Sequence, residues 1–208
     1  MNHNDSKLIK SRIQKEVFDS ITKITGVINV TLVGSFIDRD DLSGISDIDT
    51  IVICNKLSEK FYVDCINSVK KINLNKCGLV DYSLRINSTF GPLKFDKPNT
   101  VVIHLMIYDV RLHIDHVIAS PFTCFDWERS RAKFGPSLKE IFPVGTLQYR
   151  DFLEVRRSLE NYLHDLSNNI ITYREYDFKS GEGFQRKKSL PLDKRHRGEY
   201  AYHIIKNT

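Results

Sequence analysis

The chain has 208 residues, 41% of them hydrophobic and 27% charged, the proportions of an ordinary globular protein, which excludes wholesale disorder, a collagen-like repeat and a disulfide scaffold. Its net charge of +5 invites a polyanionic partner, but eight basic and three acidic side chains between residues 179 and 208 account for all of it, leaving residues 1–178 neutral. Cys54, Cys65, Cys77 and Cys124 form no C-x-x-C pair and read as reduced core residues. The start, MNHNDSKLIK, carries no apolar leader, and no run approaches membrane-spanning length. A cytosolic protein without membrane contact is the expectation.

In chain order, Ile9, Ile13, Val17, Ile21 and Ile24 recur at helical spacing and predict a helix over 8–24, capped by the polar stretch at 4–6 and ended by Gly26. Residues 27–33 predict a strand running into Gly34-Ser35. A polar, acidic loop or short turn over 36–46 follows, then a second strand over 47–54 whose apolar run suggests burial on both faces. Ser58 is a candidate N-cap for a helix to residue 72. A third strand is expected over 79–86 and a fourth over 100–108, with turns at Gly91-Pro92 and 96–99, joined most simply as a long antiparallel hairpin.

Residues 119–146, with three prolines and the single tryptophan Trp127, read as irregular. Phe152, Val155, Leu159, Leu163, Leu166 and Ile170 predict the clearest helix, residues 180–192 read as a mobile basic loop, and 200–206 as the start of a last helix. The chain stops at Thr208, a few residues into that helix, as one domain of a longer protein would. These elements give an α/β (α+β) fold, a mixed sheet core with a partly helical C-terminal region. The expected division is a catalytic core over 1–118, an irregular connector over 119–147 and a basic, acceptor-side region over 148–208.

Three features carry chemistry: Gly34-Ser35 at the end of the first strand, Asp47-Ile48-Asp49 opening the second, and Asp81 in the third. Alternate side chains of an extended chain share a face, so Asp47 and Asp49 can serve one metal site. Adjacent carboxylates repel, and hard oxygen ligands of this kind suit Mg²⁺, or Mn²⁺, held together with substrate phosphates. Asp81 on a neighbouring strand would add a third carboxylate and complete a two-metal arrangement for displacement at phosphorus. Gly34, lacking Cβ, lets a phosphate approach the backbone, and the Ser35 hydroxyl can hold its oxygens.

The ordered set Leu32-Val33-Gly34-Ser35, Ser46-Asp47-Ile48-Asp49-Thr50-Ile51-Val52 and Leu79-Val80-Asp81-Tyr82-Ser83-Leu84 resembles the DNA polymerase β-like nucleotidyltransferase superfamily, in wording closest to its minimal and antibiotic-modifying branches. The resemblance covers residues 8–110. It implies that Asp47 and Asp49 bind both metals, that Asp81 binds the catalytic metal and acts as or orients the base, and that Gly34 and Ser35 contact the β and γ phosphates of a nucleoside triphosphate. The implied reaction moves a nucleoside monophosphate, AMP foremost, to an acceptor hydroxyl and releases pyrophosphate. The acceptor, a small molecule, a protein side chain or an RNA 3′ end, stays open. Two departures stand out: a longer, acidic loop between Ser35 and Asp47, and His104 in the fourth strand, where some branches place the third carboxylate. The alternatives are a template-independent RNA-end transferase, or an inactive module that binds nucleotide or a partner, such as an antitoxin-like subunit.

Bland readings fit the remaining features. His113, Asp115 and His116 read as a polar surface before a zinc site. Phe122, Phe125 and Trp127 read as packing between subdomains before a base-stacking platform. The basic residues after 179 fit a solvated face as well as they fit RNA or a triphosphate.

Overall fold

The computed structural model describes residues 3–39, 41–95 and 97–206, so Asp96 of the expected turn and Thr208 lie outside it. Helix α1 (His3–Ile21) buries Ile9, Ile13, Val17 and Ile21, the predicted stripe. Residues 4–6, expected to cap the helix, lie within it. Gly26, at φ 98°, leads into β1 (Val27–Val33), which pairs antiparallel with β2 (Ile48–Cys54) around the single-turn helix α2 (Ser35–Asp38). Both strands are apolar and almost wholly buried. Helix α3 (Glu59–Val69) begins where the Ser58 hydroxyl accepts the Phe61 N–H at 3.2 Å, and it covers the sheet with Phe61, Cys65 and Val69.

The expected hairpin is not there: β3 (Ser83–Asn87) and β4 (Thr100–Asp109) run parallel, with Ser83 level with Thr100 and Asn87 level with His104. Parallel neighbours need a crossover of about a dozen residues, and the chain between Asn87 and Thr100 supplies it. Strand β4 also pairs parallel with β2, and a short β5 (Lys133–Phe134) adds to β1, giving a mixed sheet of order β3-β4-β2-β1-β5. With helices on this sheet the fold is mixed α/β.

Residues 119–146 are more regular than expected. After α4 (Val110–Ala119), Pro121 at the first helical position opens α5 (Pro121–Glu128), and a Ser137/Glu140 capping box opens α6 (Leu138–Ile141). The long helix is α7 (Tyr149–Ser167), which begins before Phe152, ends before Ile170, and leaves Phe152 and Leu163 half exposed. The expected mobile loop is strand β7 (Glu182–Pro191), paired with β6 (Ile170–Lys179) through a two-residue turn in which Ser180 and Gly181 both take positive φ. Helix α8 (Lys194–Lys206) closes the chain.

The C-terminal region packs on the sheet core. Tyr176 of β6 is buried in it and donates its hydroxyl to the Ile107 carbonyl at 2.7 Å. A smaller core of Leu93, Ile171 and Tyr200 joins the β3–β4 crossover to β6 and α8. Beside it the Tyr200 hydroxyl donates to buried Asp165 at 2.8 Å, and the Thr172 N–H donates to the same carboxylate at 3.1 Å. Among the described residues no helix is long and apolar enough to cross a membrane.

Of the polar set of α4, Asp115 is exposed as expected, but the two histidines are not a surface. His113 is 1% exposed, and the His116 ring stacks between Tyr108 and Trp127, with centroids 5.3 and 5.1 Å away. Burial pushes both histidines down to about 4, helped at His116 by the Arg174 charge and opposed at His113 by the Leu138 backbone. An unfolded histidine titrates near about 6.5, so these two contribute stability that is full above that pH and shrinks below it, by up to about 2 kcal/mol each at about pH 5. His104, whose titration is raised, acts in the opposite direction and in a different window, its contribution being full below about pH 6.5 and lost as the pH rises through its raised value. His116→Phe keeps the stack and removes one titrating ring. The fall in urea midpoint between about pH 7.5 and about pH 5 is therefore expected to be smaller in this variant than in the parent, and an equal fall in both contradicts the assignment.

Candidate active site at the end of the β1–β2 pair

The register places the candidate residues. Antiparallel pairing sets Val33 opposite Asp49, so Gly34-Ser35 leaves β1 beside the Asp-x-Asp that opens β2. Parallel pairing sets Asp49 opposite His104 of β4. Gly34, Ser35, Asp47, Asp49 and His104 thus meet at one end of the sheet. Among the described residues, Asp47, Asp49 and His104 form the one group of three whose ligand atoms all lie within 4.8 Å of one another.

Asp81 is not brought there. Gly78, at φ 89°, closes a 3-10 turn at Leu74–Cys77, and Asp81 itself takes φ 67° in an exposed turn, with Val80 64% and Tyr82 40% exposed. Aspartate tolerates this left-handed conformation better than most residues. The strand begins only at Ser83, so Asp81 lies about six residues, roughly 20 Å, along the sheet from the level of His104. The residue that lies beside the two aspartates instead is His104, the alternative raised by its place in the middle of an apolar strand.

The structure gives Gly34 a use of its own, beside the phosphate contact expected of it. Gly34 takes φ 73° and ψ −161°, a conformation nearly restricted to glycine, and a Cβ built there would meet Asp49 Oδ2 at 2.7 Å. The space beside the backbone is taken by the Asp49 carboxylate, so the missing Cβ makes room for that side chain.

Each carboxylate has a cationic partner. Asp47, 5% exposed, accepts Ser46 Oγ at 2.7 Å on Oδ1 and Lys94 Nζ at 2.5 Å on Oδ2. Burial alone would raise its protonation, but the Lys94 charge and hydrogen bond, with Ser46 and His104, outweigh burial and hold it below the usual carboxylate value. Asp49 Oδ1 lies 2.8 Å from His104 Nδ1, and His104 Nε2 lies 2.8 Å from the Thr89 carbonyl. Both ring nitrogens face oxygens that can only accept, so His104 donates twice, as an imidazolium. Burial opposes that charge, yet the bond and charge of Asp49 raise the histidine above its ordinary value.

Lys94 gave no sign in the sequence, since nothing within the 88–99 connection marks it out from other loop lysines. It reaches the site because β3 runs parallel to β4: the chain leaves β3 at Asn87, level with His104, so Thr89 and Lys94 fall on the site as the crossover begins.

The donor set fits one divalent ion on Asp47 and Asp49, with His104 fixing the orientation of Asp49 through one oxygen, as hydrogen-bonded ligating carboxylates require. It does not supply the third carboxylate of the two-metal arrangement. Nor is the basic C-terminal charge wholly free: Arg186 and Lys188 of β7 pair with Asp177 and Glu175 of β6, and Arg195 with Glu199. The acids of β6 lie just upstream of residue 179, which is why the segment looked uncompensated. A scan against protein-family models finds no match, and neither curated proteins nor solved structures give one.

Proposed function

We propose that this chain is a Mg²⁺-dependent nucleotidyltransferase that moves a nucleoside monophosphate, AMP in the first instance, from a nucleoside triphosphate to an acceptor hydroxyl. The supporting observation is the convergence of Asp47 and Asp49 beside Gly34-Ser35, with a cation already drawn to each carboxylate. In the reaction the acceptor oxygen bonds to the α-phosphorus, the bond from that phosphorus to the bridging oxygen breaks, pyrophosphate leaves, and the hydroxyl proton passes to solvent. A bound Mg²⁺ would neutralise phosphate charge and orient the triphosphate for in-line attack. Asp47 and Asp49 would hold it, His104 would keep Asp49 turned towards it, and Gly34 lets Asp49 approach the end of β1. The four free, buried cysteines suit a reducing compartment, and we place the protein in the cytosol.

One observation favours a second reading. Both nitrogens of His104 are engaged, so this ring, which stands where a third carboxylate was expected, is not free to take the acceptor's proton. A chain of this kind could bind a metal–nucleotide complex without transferring it. Incubation with each labelled nucleoside triphosphate and Mg²⁺ or Mn²⁺, in the presence of small-molecule, protein and RNA acceptor pools, separates the two. Metal-dependent binding with pyrophosphate release and label transfer is expected. Binding without release selects the second reading, and absence of both rejects the site.

A further inference from the structure

Lys94 is the unusual member of the site, and what it does deepens the metal–nucleotide reading, on which the inference rests. Its side chain is 21% exposed, and its ammonium occupies Oδ2 of the Asp47 carboxylate that would hold a divalent ion. The backbone that carries it is held on several sides. Asn87 Nδ2 donates to the Leu93 carbonyl at 3.0 Å, and Phe90 exchanges hydrogen bonds with Arg174 of β6 at 2.7 and 2.8 Å. The Lys94 N–H itself donates to His196 Nε2 of α8 at 3.0 Å, that ring being oriented by Asp193 through Nδ1 at 2.8 Å. On the far side, Phe95 lies against the Arg85 guanidinium, 3.6 Å from the ring centroid. With residue 94 pinned between the C-terminal helix and the hairpin, the part free to move is its four-carbon stem and ammonium.

We infer that Lys94 is a switchable counter-ion, paired with Asp47 when no divalent ion is bound and passed to the phosphates when a metal–triphosphate complex binds Asp47 and Asp49. A buried carboxylate stripped of its cation is strongly destabilised, so Asp47 needs a partner in either state. The ammonium and the metal ion compete for one carboxylate. A triphosphate arriving with the metal offers the displaced ammonium new anionic oxygens within reach of its stem, and lysine serves such oxygens as a point charge. The site stays near charge balance throughout, and the C-terminal region, by fixing residue 94, sets where the freed ammonium can go.

Competition alone and transfer to phosphate leave different signatures in Lys94→Met, which keeps much of the stem and removes the charge. Mn²⁺ binding is followed by the free-ion paramagnetic resonance signal, and binding of the Mn²⁺–tripolyphosphate complex, free of any base preference, by calorimetry. The variant is expected to bind Mn²⁺ alone about tenfold more tightly than the parent, and its preference for the tripolyphosphate complex over the bare ion is expected to fall by at least about tenfold. Lys94→Arg, which keeps the charge, is expected to stay on the parent's side of both measurements. Circular dichroism and melting in EDTA check that the fold is kept, and Lys94→Gln carries the same measurements if the methionine variant does not fold. Unchanged Mn²⁺ affinity, or tighter binding of ion and complex by the same factor, overturns the inference while leaving the metal site standing. If neither parent nor variant holds Mn²⁺ with or without tripolyphosphate, the metal–nucleotide reading falls and the role of Lys94 with it.

Discussion

Asp49→Asn is expected to abolish metal-dependent triphosphate binding in a chain that remains folded. Asparagine keeps the shape of the side chain and can still accept the Nδ1–H of His104, now 2.8 Å from Asp49 Oδ1, but it removes one of the two negative charges that would hold a divalent ion. Loss of a partner that only orients a metal ligand costs about 10–100-fold in affinity, so loss of the ligand's own charge is expected to exceed about 100-fold. The variant also removes the carboxylate that raises His104, whose titration is expected to move down and be visible in its imidazole resonances. Exchanging a charge-assisted hydrogen bond for a neutral one should lower stability by about 1–2 kcal/mol, well short of unfolding. Retention of full Mn²⁺ affinity in a folded Asp49→Asn chain removes this residue from the site.

Gly34→Ala is expected to damage both stability and metal binding, for two separable reasons. Holding alanine at φ 73° and ψ −161° costs about 1–3 kcal/mol whatever surrounds it. In addition the new Cβ would stand 2.7 Å from Asp49 Oδ2, so either β1 or the carboxylate must shift. Gly181 is the natural control. It takes φ 81° in the β6–β7 turn with nothing within 4 Å of a built Cβ, so Gly181→Ala suffers backbone strain alone. Urea denaturation of the two variants should show the larger loss at Gly34, and Mn²⁺ affinity should fall only there. Equal losses, or a Gly34→Ala chain with the parent's Mn²⁺ affinity, would mean that Asp49 does not depend on the glycine.

The first half of the fold is legible because its signals are local. The stripe on α1, the apolar runs of β1 and β2, and Ser58 before α3 each state their own structure, and the order of Gly34-Ser35 and Asp47-x-Asp49 follows from those strands. The third position was harder. The stretch from Leu79 to Leu84 alternates like a strand, yet Gly78 closes a turn just before it and Asp81 adopts a left-handed conformation, so the strand starts two residues beyond Asp81. Whether β3 and β4 run parallel or antiparallel depends on how a twelve-residue connection packs against β6 and α8, and no residue within the connection records that. The same gap hid Lys94, which meets Asp47 across 47 positions of sequence. In the C-terminal region, Ser180-Gly181 was a turn signal outweighed by the surrounding basic residues, whose acidic partners, Glu175 and Asp177, become visible as partners only when β6 and β7 are paired.

In the proposed reaction Asp47 and Asp49 hold one divalent ion together with a triphosphate. Crystals grown with Mn²⁺ and a non-hydrolysable nucleoside triphosphate, with data collected for anomalous scattering from manganese, test it most directly. The predicted result is a single manganese peak about 2.1 Å from oxygens of both carboxylates and of the triphosphate, with the Lys94 ammonium moved from Asp47 to the phosphates. Carboxylates still paired to Lys94 and His104, with manganese or nucleotide bound elsewhere, would contradict it.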